Sequence, residues 1–449
     1  MKLQSLERTY LGILLVIFAG IVVHAPLTVW LGTLAPGWEL VIKSWKEILM
    51  LVAAPLAIVL VTRKKLWGEF SRDWLFRIII GFVLVHLVAL IFFWNGIAPT
   101  FAGLSIDLRW LLYFSLVYVL IRVQPSYRSL FIKVGICGAL VVGVFALLQV
   151  TSLPKDVLAG IGYNKDTTIA PYLTVDQNED YVRINSTLRG PNPLGAYAVI
   201  VLSILFAYVA TNKKQTGVWM RMTLGVTAIV ALWFSYSRSA LLAGFVAGVT
   251  IGYLTLQKRL SRVAWIAGLV AVGATAGLIA VMWQAPFVQQ VILHEDPLEG
   301  NMVNSNDGHV SSLQSGVQLL IEQPFGAGVG STGSASLYGE HGIIIENQYL
   351  FIAHEVGWLG LILFLALFAV VMQRLWRQRH DWLALGVFAS GIGLALIGLL
   401  LPVWVDDTVS IIWWGLAGVA LGSWHVEGSK SPMANSHTPK AQVKTRLKR

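Results

Sequence analysis

Charged residues are scarce in this sequence. Only 12% of its 449 residues are Asp, Glu, Lys or Arg, whereas soluble domains carry about 25%. Hydrophobic residues make up 56% of the chain, and the mean hydropathy is +0.70. Eighteen tryptophans accompany them, and tryptophan is enriched where proteins meet the membrane–water interface. The composition therefore excludes an ordinary soluble domain and indicates a membrane protein.

Cysteine and the common cofactor motifs are also missing. Cys137 is the only cysteine, so the chain forms no internal disulfide and has no cysteine-based metal site. No P-loop or dinucleotide fingerprint is present, which disfavours glycosyl transfer from a nucleotide sugar at the cytoplasmic face. The histidines and carboxylates lack a metal-ligand spacing such as His-Glu-x-x-His. We therefore predict that the protein needs no metal and no cofactor.

Long apolar runs dominate the rest of the chain. About 20 apolar residues cross a bilayer, and twelve candidate spans are present, of which the fourth is short. The predicted fold is an all-α polytopic membrane helix bundle of about twelve transmembrane helices. The spans are Tyr10–Leu31, Trp45–Val61, Leu75–Trp94, Trp110–Ile121, Leu130–Val150, Pro193–Ala210, Val218–Phe234, Ala240–Leu256, Val263–Trp283, Gln348–Met372, Trp382–Pro402 and Val409–Trp424.

The basic residues indicate the orientation of these spans. With the N-terminus inside, 25 of the 33 Lys and Arg residues fall on the cytoplasmic side and 8 on the outer side, as the positive-inside rule requires. The net charge of +10 is thus a topology signal and does not point to nucleic acid. We predict a multi-pass plasma-membrane protein with both termini in the cytoplasm and residues 1–424 as one transmembrane domain. The basic tail, 425–449, is predicted to be disordered and to lie near membrane lipids.

Two long loops are predicted on the outer face, at residues 151–192 and 284–347. The second has no Lys or Arg, and none occurs between Arg262 and Arg374. Its apolar residues from Val310 to Glu322 follow a helical period, and Pro324 ends that helix. A glycine-rich turn follows at residues 325–330. We interpret this loop as a partly helical lid.

Three arginines on the outer face are candidates for binding an anionic ligand. Arg238 lies in a tight turn between two apolar helices, and Arg183 and Arg189 precede the helix that we expect Asn192 to cap. Guanidinium binds phosphate bidentately and keeps its charge at any relevant pH. The alternatives are an Arg238 that only reaches toward lipid headgroups and an ordinary polar loop around Arg183 and Arg189.

Glu346 and His341 are candidates for handling a proton, because both precede the tenth span at the outer interface. The alternatives are that Glu346 only complements a helix dipole and that His341 is a surface histidine. His354 and Glu355 fall inside the span and should face the bundle or a cavity. Four further polar residues are interpreted as structural: His24 and His86 as packing residues, and Asp406 and Asp407 as a solvated turn.

Four segments together resemble the O-antigen ligase and polymerase superfamily. WFSYSRSALLA from Trp233 resembles its Ser-Arg turn, and EQPFGAGVG from Glu322 resembles its P-x-x-G-x-G turn. ENQYLFIAHEVGWLGL from Glu346 is similar to its H-N-x-x-L…E-x-G-x-x-G segment, and RINSTLRGPN from Arg183 to its R-x-x-G-T-F…P-N segment. The motifs cover residues 183–372 and occur in the family's order.

The resemblance implies a metal-independent inverting glycan transferase. Such enzymes move a glycan from a polyprenyl diphosphate, such as undecaprenyl diphosphate, to an acceptor hydroxyl during polysaccharide biosynthesis at the cell envelope. It also implies that Arg183 and Arg238 bind the diphosphate; Arg189 is added for its charge and position. The family's histidine is replaced here by Glu346, so three alternatives stay open: Glu346 is the base, His341 reaches the site, or the acceptor is activated differently.

The predicted function is therefore O-antigen ligase-like transfer, with a lipid-linked glycan, a glycan or lipid acceptor and membrane lipids as partners. The first alternative is a polymerase of the same superfamily, which would use a second lipid-linked glycan as acceptor. The next is a transporter of lipid-linked glycans, which would be expected to carry charges near the membrane midplane in both halves of the chain.

Overall fold

The structure is a computed structural model that describes residues 3–175, 178–212, 217–256, 305–339 and 342–423. Most of these residues are helical, which confirms the predicted all-α class. The helices are α1 (Leu3–Gly20), α2 (His24–Leu34), α3 (Glu39–Lys43), α4 (Trp45–Arg63), α5 (Trp67–Arg72), α6 (Trp74–Phe92), α7 (Ile97–Val123), α8 (Arg128–Thr151), α9 (Pro191–Thr211), α10 (Val218–Phe234), α11 (Arg238–Leu256), α12 (Ser305–Glu322), α13 (Gly333–Ser336), α14 (Gln348–Arg377), α15 (Trp382–Ile397) and α16 (Asp407–Gly422). Short 3₁₀ turns occupy Ile21–Val23, Pro125–Tyr127, Val157–Ile161 and Val403–Val405.

Eleven of the twelve predicted spans correspond to helices in the described part of the chain. Among the residues that the structure describes, eight helical segments are long and apolar enough to cross a membrane, and α10, α15 and α16 are shorter apolar helices. The predicted span Val263–Trp283 lies outside the described residues. The short fourth span was wrong in extent, because α7 continues toward its N-terminus through Asp107 and Arg109. Both charged side chains are buried in the bundle, so they do not mark the end of a span.

The two predicted loops have structure of their own. Residues Leu173–Val175 (β1) and Asn178–Arg183 (β2) form an antiparallel pair in the first loop. The second loop contains α12 and α13, which agrees with a partly helical lid. Helix α12 begins at Ser305 rather than Val310, and it ends at Glu322, just before Pro324 as predicted.

Two of the ion pairs between helices lie at the end of the bundle where α6 and α15 begin. Asp73 caps α6 by accepting from the Leu75 amide, and it also accepts from an Arg374 nitrogen at 2.9 Å. Asp381 caps α15 and accepts from Arg128 at 2.7 Å. Each carboxylate thus satisfies a helix N-terminus and a guanidinium group from another helix. The other end of the bundle carries β1, β2, α12 and α13, and we call it the lid end.

Small residues allow α11 and α15 to pack closely. A Cβ on Gly393 of α15 would lie 2.9 Å from the Ala243 carbonyl oxygen on α11. Small residues at such positions let helix backbones approach, which is the usual basis of helix association in membranes. Ala243 lies five residues after Arg238, and Gly393 lies five residues before Gly398. Because the two helices run antiparallel, Arg238 and Gly398 lie at the same level, at the lid end.

The tenth predicted span is broken rather than continuous. Helix α14 kinks at Val356 and Gly357, where Gly357 has a φ of 71°. Such a break frees backbone groups that need partners, because membrane lipid offers none. The turn at residues 324–328 supplies them. The amides of Ala327 and Gly328 donate to the carbonyls of His354 and Glu355 at 2.6 and 3.0 Å, and the Trp358 amide donates to the Pro324 carbonyl at 3.0 Å.

Glycine is required in this turn for two reasons. Gly326, Gly328 and Gly330 all have φ between 82° and 95°, a region that side chains disfavour. The turn also presses against other segments: a Cβ on Gly326 would lie 2.7 Å from the Gly357 amide nitrogen, and one on Gly328 would overlap the Phe93 carbonyl oxygen. The turn is therefore wedged between the α14 kink and the α6–α7 connection.

We expect Gly328→Ala to destabilise the protein, because the new methyl group meets both the disfavoured φ and the Phe93 carbonyl. Strain of this kind costs roughly 1–3 kcal/mol, so the midpoint of thermal unfolding in detergent should fall by several degrees. Gly12→Ala is the control, since Gly12 lies in α1 with no heavy atom within 4 Å of its Cβ position. An unchanged midpoint for Gly328→Ala would contradict the packing of this turn.

Candidate functional site

Arg183 is held at the lid end by two specific contacts. It is the last residue of β2, and its Nε donates to the Ser235 carbonyl oxygen at 3.0 Å. One terminal nitrogen donates to Oδ1 of Asn192 at 2.7 Å. The Ile184 amide also donates to the Phe234 carbonyl at 3.1 Å. The chain after β2 is thereby fixed to the turn that precedes α11.

The expected role of Asn192 as a helix cap was wrong. Helix α9 begins at Pro191, and the N-cap residue is Gly190, which has no side-chain capping bond. Proline suits this first position because it has no amide hydrogen that would need a partner. The Asn192 side chain is consequently available to bind Arg183, so this residue positions a guanidinium group and does not cap the helix.

The turn before α11 contains the Ser235 carbonyl that binds Arg183, and Arg238 follows three residues after it. Tyr236 in this turn has a φ of 47°, which is uncommon outside glycine. Its ring packs edge-on to Tyr181 of β2 with a centroid distance of 6.2 Å, and burial raises the pKa of its hydroxyl. Arg238 is half-buried and is the first residue of α11. A helix N-terminus adds partial positive charge to that of the guanidinium group.

Close packing of α9 keeps the turn in place. A Cβ on Gly195 would lie 2.7 Å from the Ala240 Cβ and 2.9 Å from the Ser235 hydroxyl. Only a residue without a side chain fits between the start of α9 and the start of α11. The two predicted diphosphate ligands Arg183 and Arg238 are therefore brought together, and we call these two residues with Asn192 the arginine cluster.

Arg189 takes a different position. The intervening residues are buried: the Ser186 hydroxyl donates to the Val142 carbonyl at 2.7 Å, and the Thr187 hydroxyl donates to the Val22 carbonyl at 2.6 Å. Beyond them, Arg189 is exposed and lines a neighbouring cavity that also contains Asp406. Burial raises the pKa of the Asp406 carboxyl above its ordinary value, and the positive charge of Arg189 opposes that rise.

Glu346 lies at the lid end beside α12. Its amide donates to the Ser312 hydroxyl of α12 at 2.9 Å, and its side chain is half-buried. The next residue, Asn347, caps α14 and donates to the Leu399 carbonyl at 2.8 Å. The Gln348 amide donates to the Gly398 carbonyl at 2.8 Å. Glu346 is thus tied to the end of α15 that lies level with Arg238. His341 lies outside the described residues.

His354 and Glu355 are buried in the bundle, which confirms that they do not face lipid. Among the described residues, neither ring nitrogen of His354 has a hydrogen-bond partner. The Glu355 carboxyl is fully buried and lies near the Asp107 carboxyl and the amides of Gly330 and Thr332. No group of three or more His, Cys, Asp or Glu residues in the described ranges is arranged to hold a metal ion.

Asp406 and Asp407 do not form a solvated turn, and His24 is more than a packing residue. Asp407 accepts from His24 Nε2 and from Lys46 Nζ, each at 2.9 Å, and it also binds Arg109. Trp45 donates its indole N–H to His24 Nδ1 at 3.0 Å, so the proton of a neutral His24 lies on Nε2. Asp406 caps α16 by accepting from the Val409 amide.

This ionic group was missed by sequence analysis because its members come from four separate segments. Lys46 is 2% exposed and Arg109 is 6% exposed, and both are treated by sequence reasoning as outer-face charges. Glu47 also pairs with Lys46 at 3.2 Å. One feature of the sequence indicated a partner for Arg109. This residue follows an apolar, glycine-containing stretch, where an unpaired charge would be costly.

We expect Asp407→Asn to lower stability markedly, because it removes one of the two carboxylates, with Glu47, that pair with the buried Lys46 and Arg109. Removing one partner of a buried ion pair costs about 3–5 kcal/mol. Thermal unfolding in detergent measures the effect, and Asp180→Asn, an exposed position in β2, serves as the control. Equal unfolding midpoints for Asp407→Asn and the wild type would show that the ionic group contributes no net stability.

Residues 223–365 match the family model described as O-antigen ligase. The matched region begins in α10 and ends in α14, and it includes Arg238, the glycine turn and Glu346. A comparison with curated proteins found no match. The resemblance inferred from the four sequence motifs is thus confirmed by a comparison that spans three of them.

Proposed function

We propose that this chain transfers a glycan from a polyprenyl diphosphate carrier to an acceptor hydroxyl at the outer face of the plasma membrane. The match of residues 223–365 to the O-antigen ligase family model supports this proposal. The family implies a membrane glycosyltransferase of the ligase and polymerase type. The ligase-like reaction, the carrier and the roles of individual residues are the parts that we propose.

The packing of α11 against α15 is the observation that supports this proposal best. It puts Arg238, Arg183 and Glu346 at one end of the bundle. Arg238 begins α11, and Arg183 binds the turn before it. Glu346 lies just before α14, whose first residue, Gln348, donates its amide to the Gly398 carbonyl at the end of α15. A cationic group and a carboxylate at one rim are what a transfer with an anionic leaving group requires.

In the proposed reaction the arginine cluster binds the diphosphate. The acceptor oxygen attacks the anomeric carbon from the side opposite the diphosphate, the glycosidic bond to phosphate breaks, and the configuration inverts. Negative charge grows on the leaving diphosphate, and Arg183 and Arg238 stabilise it. Glu346 orients the acceptor hydroxyl and accepts its proton. His341, five residues earlier, is the alternative base, and Arg189 contributes charge from the adjacent cavity.

The lid end faces the outside of the cell in this proposal, and both termini are cytoplasmic. The distribution of basic residues supports this orientation: 25 of the 33 lie on the predicted inner side. The glycine turn connects the lid to the α14 kink, so the lid residues around Glu346 are anchored both to α12 and to the membrane helices.

Transfer in vitro tests these roles. The assay combines the detergent-purified protein, polyprenyl-diphosphate glycan extracted from the source cells, and candidate acceptors. We expect Arg238→Ala and Arg183→Ala each to lower kcat by about 100-fold, the usual effect of removing one group that stabilises transition-state charge. Glu346→Gln should lower kcat by about 100-fold or more if Glu346 is the base.

Arg379→Ala is the control for the arginine variants, because Arg379 lies at the opposite end of the bundle, 4.5 Å from the centre of the Trp376 ring. Full transfer by Arg238→Ala at normal protein level would overturn the proposed diphosphate site. Full transfer by Glu346→Gln alone would remove Glu346 as the base and leave His341. Product length separates a ligase, which adds one preformed glycan, from a polymerase, which extends a chain.

A second prediction concerns Asn192. Asn192→Asp should pair its new negative charge with Arg183 and repel a diphosphate, so it should weaken inorganic pyrophosphate binding by about tenfold, equivalent to about 1.4 kcal/mol. Asn192→Ala should have a smaller effect, because it adds no negative charge beside Arg183. Isothermal titration in detergent measures the affinity.

Asn212→Asp is the matched control for this measurement, since Asn212 follows α9 at its other end and donates to the Tyr208 carbonyl. Pyrophosphate affinities that are equal for Asn192→Asp and the wild type would show that Arg183 does not bind the diphosphate.

A further inference from the structure

An apolar cavity of about 270 Å³ lies between α8, α9 and α10, in the half of the bundle opposite the lid end. Aliphatic and aromatic side chains form most of its walls, and Arg221 of α10 is the only charged residue among the described residues that line it. Along α9 the lining extends from Tyr197 to Tyr208, which spans about 16 Å at the helical rise of about 1.5 Å per residue. Since the hydrocarbon core of a bilayer is about 30 Å thick, the cavity has the depth of one leaflet.

The cavity exists because α8 and α10 are close together at one level and apart at another. A Cβ on Gly143 of α8 would overlap the Thr227 hydroxyl of α10, so the two helices are in contact there. About one turn further from the lid end, Ala139 and Leu224 line the cavity instead. The contact between Gly143 and Thr227 therefore closes the cavity toward the lid end, and the helices separate below it.

The other end of the cavity has residues that are typical of a membrane interface. Tyr208 and Trp382 line it there, and their rings pack edge-on with 5.1 Å between the ring centres. Arg128, which is paired with Asp381, lies 6.0 Å from the centre of the Trp382 ring. Tyrosine, tryptophan and basic residues at the ends of spans lie at the level of the lipid headgroups. The cavity thus extends from the headgroup level into the hydrocarbon region.

Arg221 lies at this headgroup level, near the N-terminus of α10, and is half-buried. Its Nε is enclosed and has no hydrogen-bond partner in the described part of the chain, and no Asp or Glu of that part lines the cavity. Arg128 differs, because Asp381 already supplies its counter-charge. A shielded basic group normally has a partner. The terminal nitrogens of Arg221 are therefore suited to bind an anion from outside the chain.

We propose that this cavity binds one acyl chain of an anionic phospholipid, with the phosphate of the headgroup on Arg221. The apolar walls and the depth of one leaflet fit an acyl chain, and the unpaired arginine at the mouth fits a phosphate. Basic pockets between membrane helices on the cytoplasmic side bind anionic headgroups, and the proposed orientation gives this end of the bundle to that side. The site does not depend on glycan transfer.

The bound lipid stabilises the helices that support the arginine cluster. Helix α9 contains Asn192, and α10 ends just before Ser235, whose carbonyl binds Arg183. An acyl chain between α8, α9 and α10 fills a void in their packing, and unfilled voids lower the stability of a fold. A ligand that binds only the folded state raises the midpoint of thermal unfolding. We therefore expect anionic phospholipid to raise this midpoint.

Native mass spectrometry of the full chain in detergent tests the site. The probes are phosphatidylglycerol and phosphatidylcholine with identical acyl chains, each added to the delipidated protein. We expect the wild type to bind one phosphatidylglycerol at least fivefold more tightly than phosphatidylcholine. Arg221→Gln should remove this preference, because it removes the charge at the mouth. Val201→Trp, which fills the cavity from α9, should weaken the binding of both lipids by at least fivefold.

The matched controls are Arg379→Gln, at the same end of the bundle, and Val209→Trp, at an exposed position of α9; neither residue lines the cavity. Thermal unfolding checks that each variant is folded, and phosphatidylglycerol should raise the midpoint of the wild type but not that of Val201→Trp.

Equal affinities of the wild type for the two lipids overturn the proposal, as does a preference that Arg221→Gln retains. An equal loss of preference in Arg379→Gln also overturns it, because the effect would then come from surface charge. Displacement of phosphatidylglycerol by an equimolar amount of polyprenyl phosphate would assign the cavity to the carrier lipid instead. None of these outcomes involves glycan transfer, so the proposed function is tested separately.

Discussion

The need to satisfy backbone groups inside a membrane governs the lid end of this protein. Helix α14 breaks at Val356 and Gly357, and the turn at residues 324–328 supplies hydrogen bonds to the backbone on both sides of the break. Since lipid offers no partners, the break and the turn depend on each other. The lid is consequently fixed to the membrane helices at the point where it enters them, and Glu346 is held in a defined place.

The arrangement of arginines follows from a second constraint, the cost of placing charge in an apolar bundle. The structure stabilises its buried basic side chains in two ways. Arg109 and Lys46 share Asp407 in a compact ionic group, whereas Arg183 is oriented by the neutral acceptors Asn192 Oδ1 and the Ser235 carbonyl. Hydrogen bonds to these neutral acceptors fix the orientation of the guanidinium group without adding negative charge beside it.

These two arrangements lie side by side and divide the lid end chemically. The arginine cluster offers a concentrated positive charge, and the neighbouring cavity offers balanced charges, hydroxyl groups and exposed aromatic rings.

The sequence by itself determined the helical membrane class, eleven of the span positions and the end of the lid helix at Glu322, and it singled out Arg183, Arg238 and Glu346 as candidates. These follow from hydropathy, proline and motif order, which are local properties. Only the tertiary structure decided that α7 extends through Asp107 and Arg109, that α14 is kinked, that Asn192 binds Arg183, and that Asp407 pairs with Lys46 and Arg109. Each of these depends on partners distant in the chain or on a backbone break compensated by another segment, and neither leaves a periodic signal in the sequence.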